Sequence, residues 1–118
     1  MSFFKAPAAH SPFRRGAIVR SRSDGGAMVI HGGNEEGEIT CWFFHFERLQ
    51  IRNFYPEDIE IEVVEPLRLP VLSWNSAVYL RSGGPKMTIA ELKRDTAVCT
   101  YLSSGRDEFP VLMLLAAH

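Results

Sequence analysis

"VYLRSGGPKMT", residues 78–88, places a β-branched and aromatic run before two adjacent glycines, a proline and a second run. Glycine reaches positive φ without steric penalty, so the pair predicts a tight or bulged connection between two strands. A weaker version of the string, "IVRSRSDGGAMV", stands at residues 18–29. With Gly25-Gly26 set on Gly83-Gly84 the offset is 58 residues, and Cys41 and Cys99 are separated by the same 58. Arg22-Ser23 then matches Arg81-Ser82, Met28 matches Met87, and Tyr55-Pro56 matches Phe109-Pro110. This match treats Asp24 as an insertion and leaves four extra residues between cysteine and proline in the first half. Matches in one order at nearly constant spacing argue for a small module written twice.

Each half reads as short strands. "AIVRSR" and "SAVYLR" are rich in β-branched and aromatic residues, and "AMVIH" and "KMTIAEL" follow the glycines as second strands. "ITCWFFHF" and "AVCTYL" are apolar on both faces, which predicts central strands covered on both sides. "RLQIRNFY" and "RDEFP" form fourth strands across short turns, "EDIEIEVVE" reads as a period-two strand, and "VLMLLAAH" as a helical turn or a final strand. So many strands in about 45 residues describe a small bent antiparallel sheet or barrel. The expected fold is all-β: two tandem small SH3-like antiparallel β-barrels packed together. Residues 1–15 form an N-terminal arm, 16–65 the first barrel, 66–75 a linker and 76–118 the second barrel. The linker "PLRLPVLSWN" carries Leu67, Leu69, Val71, Leu72 and Trp74, and is expected to lie packed across the junction.

The second half resembles the YodC-like family of small bacterial proteins. Val78, Leu80, Arg81, Ser82, Gly83, Gly84, Pro85, Met87, Thr88, Cys99 and Phe109-Pro110 carry the resemblance, and Tyr101-Leu102 departs from the family's aromatic pair. Gly16, Ile18, Val19, Arg22, Ser23, Gly25, Gly26, Met28 and Cys41 make the first half a degenerate version. The resemblance implies a small β-barrel and brings no activity with it.

Of the 118 residues, 46% are hydrophobic and 23% charged, the balance of a globular chain. The longest apolar run, "VLMLLAA" at 111–117, is far below the roughly 20 residues that span a bilayer, and a cytoplasmic protein is expected. Net charge is −1, with a basic excess in 1–30 and an acidic excess in 31–66. Cys41 and Cys99 read as small buried residues, not a disulfide. With no CxxC or HxxxH spacing, no metal or other cofactor is expected. The glycine pairs lack the helix and Lys-Ser/Thr step of a phosphate loop, and no histidine has a catalytic partner in the pattern, so no enzymatic activity is expected.

The aromatics crowd residues 42–55 more than one small barrel can bury, which makes Trp42, Phe44, Phe46, Phe54 and Tyr55 candidates for binding another protein. The expected function is a non-enzymatic protein-binding module, a small bacterial or phage regulator or inhibitor of a larger assembly. The alternative is a nucleic-acid-binding module using a basic strip of Arg14, Arg15, Arg20, Arg22, Arg81 and Lys86. The alternating glutamates of "IEIEVV" discourage edge pairing, and the acids around the aromatics disfavour a phosphate backbone there. The arm, with Phe3, Phe4 and Phe13, is expected to dock on a partner, on a second subunit in a homo-oligomer, or on its own barrel.

Overall fold

A computed structural model describes residues 12–117; most of the arm expected at 1–15 lies outside the described residues. The chain is all-β and forms two antiparallel five-stranded sheets. The first contains β1 (Ile18–Ser21), β2 (Ala27–Gly33), β3 (Ile39–His45), β4 (Arg48–Phe54) and β5 (Ile59–Val63) in the order β4-β3-β2-β1-β5. The second contains β6 (Ala77–Leu80), β7 (Met87–Leu92), β8 (Thr96–Tyr101), β9 (Gly105–Pro110) and β10 (Leu114–Ala116) in the order β10-β6-β7-β8-β9. A single 3-10 turn precedes the last strand of each sheet, at Pro56–Asp58 and Val111–Met113. Residues 111–116 of the tail are therefore both a short turn and a strand. Among the described residues no helix is long and apolar enough to cross a membrane.

The two sheets correspond strand for strand when the second order is read from its other end. The ladders shift the sequence match by one residue. Ile18 pairs with Val29 and Ala77 with Thr88, so the two hairpin loops are equally long. Asp24 is no insertion: it stands where Gly83 stands, and Gly25 is the counterpart of Gly84. Phe54 lies opposite Ile39 as Phe109 lies opposite Ala97, so Phe54, not Tyr55, is the counterpart of Phe109. Both second strands carry a register shift at the same place, after Ile30 and after Ile89. Positive φ recurs too, at Gly16 and at Asn75, each before its first strand.

Neither sheet closes into the expected barrel, because no ladder joins the outer strands. Each sheet nevertheless curls. At about 4.8 Å between neighbours, the outer strands of a flat five-stranded sheet would lie roughly 19 Å apart. Instead, Phe54 of β4 and Ile59 of β5 join one core with Val19, Met28, Ile30 and Cys41. The second core gathers Val78, Leu80, Met87, Ile89, Cys99, Phe109 and Met113, and it takes in Val29, Trp42, Phe44 and Leu49 from the first sheet. The alternation in β3 decides this. Ile39 and Cys41 face the first core, while Trp42 and Phe44 face out, onto the second unit. The strand is covered on both sides, as its pattern predicts.

The linker departs from expectation. Leu72 packs into the second core, as Phe13 packs into the first, and Pro66 lies against Gly16. Leu67 and Val71, however, are 99% and 92% exposed, and Trp74 is 69% exposed. Pro66 and Pro70 cannot donate to a ladder, so this segment crosses the surface outside both sheets and anchors through only part of its apolar set.

Candidate docking groove

The contact between the units is built from rings and glycine. Trp42 meets Phe109 edge-on at 5.5 Å between centroids, and Phe44 meets Tyr101 edge-on at 5.1 Å. A Cβ on Gly84 would stand 2.5 Å from Cδ2 of Phe44, so the glycine leaves room for the ring. The register shift in β2 brings His31 flat onto Trp42, with centroids 4.8 Å apart and planes at 4°. Burial, and then the nearby Arg15 charge, hold the His31 imidazole below its ordinary pKa. Arg15 Nε also donates to the His31 carbonyl at 2.7 Å. At the other end of the contact, Arg81 Nε donates to the Gly16 carbonyl at 2.8 Å.

An open pocket of about 460 Å³ remains beside this contact, lined by Leu49, Gly105 and Asp107 among others, while Phe44 and Trp42 of the first unit cover Tyr101, Gly84 and Phe109 of the second. Their counterparts in the first unit are Phe43, Gly25 and Phe54. Among the described residues no heavy atom lies within 4 Å of a Cβ built on Gly25. Among the described residues an open groove lies beside Phe43 and Phe54, with a volume of about 550 Å³, within the usual range of ligand pockets. Phe43, Phe54 and Met28 give it apolar walls, Gln50 and Arg52 line the β4 side, and Asp24, Gly26 and Ala27 line the loop side. Phe44, His45 and Ser82 close the end nearest the second unit.

The polar groups around the groove are held in place. Asp24 Oδ1 accepts from the Gly26 N–H at 3.1 Å, Gly25 N–H donates to the Ser21 carbonyl at 2.8 Å, and Arg20 donates to the Gly25 carbonyl. The Arg52 guanidinium lies over the Phe54 ring, 5.3 Å from its centroid. Ser82 Oγ is buried with no hydrogen-bond partner. The corresponding Ser23 bonds to Ser21 Oγ at 2.9 Å, but in the second unit Leu80 occupies the place of Ser21. In the second unit, Tyr101 donates its hydroxyl to Asp107 at 2.6 Å.

The candidate aromatics therefore separate. Trp42 and Phe44 are half-buried between the units, and Phe54 is a groove wall. Phe46, at positive φ on the β3–β4 turn, is 86% exposed, and Tyr55 is 55% exposed. The basic candidates do not form one free strip. Arg20 pairs with Glu62 at 2.7 Å and Arg22 with Glu60 at 3.2 Å, both acids on β5. Arg81 is engaged at Gly16, and burial lowers its pKa. Arg14, Arg15 and Lys86 are exposed.

Arg52, Gln50 and Ser82 escaped the sequence reading because each gains its role from what faces it across the fold. The one available signal was the pairing of dissimilar residues at matched positions, such as Gln50 with Gly105. Cys41 and Cys99 are buried free thiols, raised by burial to about 12 and about 11 respectively. Among the described residues no group of His, Cys, Asp and Glu is gathered to hold a metal. No family model, curated protein or solved structure matches the chain.

Proposed function

We propose that the chain is a non-enzymatic protein-binding module made of two SH3-like units related by duplication, and that its partner docks in the groove of the first unit. The observation that carries this reading is an open groove of about 550 Å³ walled by Phe43, Phe54 and Met28 among the described residues. The walls are aromatic and the rim polar, the composition of protein docking surfaces. The resemblance of residues 75–115 to the YodC-like family agrees with the duplicated architecture. Binding of nucleic acid through the basic residues is the weaker reading, since Arg20, Arg22 and Arg81 already have partners within the chain.

Photo-crosslinking tests the proposal. A benzophenone amino acid at Gln50, inside the groove, should give a discrete protein adduct in the producing cell, and the same group at the exposed Thr88 should not. Equal adducts at both positions, or none at Gln50, would count against it, and a nuclease-sensitive adduct would favour nucleic acid.

A further inference from the structure

The described residues expose twelve large apolar side chains, and half of them fall between residues 63 and 74. Val63, Val64, Leu67, Leu69, Val71 and Trp74 run from the end of β5 through the linker. Single exposed apolar residues are ordinary, whereas a contiguous set marks a contact surface. The stretch is also pinned along its length. Val63 pairs with Ile18, Pro66 lies against Gly16, Leu72 packs into the second core, and the Asn75 N–H donates to the Ile89 carbonyl at 2.9 Å. Its apolar side chains are thus held outward in place, so association has little further ordering to oppose it. We infer that this ridge is the interface of a symmetric dimer, in which it packs antiparallel against the same ridge of a second copy.

Charge selects a second copy as the occupant. Glu65 and Arg68 stand three residues apart in the ridge, and among the described residues neither has an ion-pair partner. A two-fold axis that sets Glu65 against the partner's Arg68 sets Arg68 against the partner's Glu65 by the same operation. That register brings Leu67 of both copies to the axis and Val64 beside the partner's Leu69. The adjoining Glu60 and Glu62 of β5 are already paired with Arg22 and Arg20, so they bring no net charge to the contact. Pro66 and Pro70 have no N–H to donate and interrupt any continuous ladder, so side chains make the contact. The exposed surface of the six apolar residues is on the order of 700 Å², near the roughly 800 Å² each partner gives to a stable interface. Each ridge covers the other, and the assembly closes at two. The open groove lies at the Asp24 and Gly26 end of β1, whereas the ridge abuts Gly16 at the other end, so the two surfaces are separate.

Analytical sedimentation of residues 1–118 between about 1 and about 500 µM is the test, with monomer passing to dimer at roughly tens of micromolar. Leu67→Ser/Val71→Ser should weaken the dimer at least about tenfold. Dilute protein should keep its unfolding temperature in that variant, because these side chains do not pack within the monomer. Glu65→Arg and Arg68→Glu should each weaken self-association about fivefold, since like charges then face each other across the axis. An equimolar mixture of those two variants should restore the dimer, as should Glu65→Arg/Arg68→Glu within one chain. A chain that stays monomeric throughout would overturn the inference and assign the ridge to a different molecule. Assembly beyond two, a dimer untouched by Leu67→Ser/Val71→Ser, or charge variants that fail to complement in the mixture would overturn it as well. So would a dimer that forms only in Phe3→Ser/Phe4→Ser, which would make the chain's own N-terminal segment the cover.

Discussion

Gly16, Gly25 and Gly84 all hold positive φ, yet they answer to different constraints. A Cβ on Gly16 would stand 2.7 Å from the Leu112 carbonyl oxygen and 2.9 Å from Pro66 Cδ, with φ at +94°. Backbone cannot swing aside as a side-chain tip can. Gly16→Ala should therefore cost about 2–4 kcal/mol, strain and overpacking together. Gly25→Ala, at φ +74° in open space, should cost only about 1 kcal/mol. Urea unfolding of the two variants measures both, and equal losses would show that Gly16 is not pressed against the second unit. The thiols give a pH signature. Burial raises Cys41 from its ordinary 9.0 to about 12, and Cys99 to about 11. Each proton is held more tightly in the folded chain than in the unfolded one. The stability this represents is complete below pH 9 and is lost as the pH climbs toward the folded values. Between pH 9 and 11 stability should fall by up to about 1.4 kcal/mol per unit for each thiol. The slope should flatten in Cys41→Ala/Cys99→Ala, and an unchanged slope in that variant would contradict the burial.

At the scale of elements, the glycine pairs, the alternation in "CWFF" and the period-two glutamates of β5 were legible because each acts through local geometry. Strand existence followed from those patterns. Register did not: the repeated double glycine invited a match one residue out of step, and only the Ile18–Val29 and Ala77–Thr88 pairings correct it. Which face of β3 meets the second unit was not legible either, since Trp42 and Phe43 are equally apolar in the sequence. The linker was misjudged for a related reason: apolar composition does not say which side chains find a neighbour. A sharp contrast follows. Replacing Leu67, Val71 and Trp74 together by serine should change stability by no more than about 0.5 kcal/mol per site. Leu72→Ala, a side chain half-buried in the second core, should cost about 1–2 kcal/mol, below the value for a fully enclosed leucine. Thermal unfolding compares them, and a large loss in the triple variant would mean that the linker packs as the sequence suggests. The β1–β5 ion pairs are nearly half exposed, with side-chain exposures of 47% and 44% for Arg20 and Glu62. A double-mutant cycle on them should give a coupling under about 1 kcal/mol, reduced by salt.

Across the whole molecule, the first sheet serves two cores: its inner face closes its own, and its outer face completes the other. Neither five-stranded unit buries much surface alone, and a domain of this size gains stability from the shared contact. The open groove belongs to this scale too. It was invisible in the sequence because its walls, Met28, Phe43 and Phe54, come from three strands that only the fold brings together. Phe44→Ser should lower stability by about 2 kcal/mol while leaving Phe43 and Phe54 in place around the open groove. The most direct measurement is a nuclear Overhauser spectrum of the full chain with assigned aromatic rings. Cross-peaks are expected from the Phe44 ring to the Gly84 α-protons and the Tyr101 ring, and from Trp42 to Phe109. Cross-peaks from Phe44 to Gly25 in their place, or a Phe44 ring with no contact in the second unit, would contradict the docking of one unit into the other.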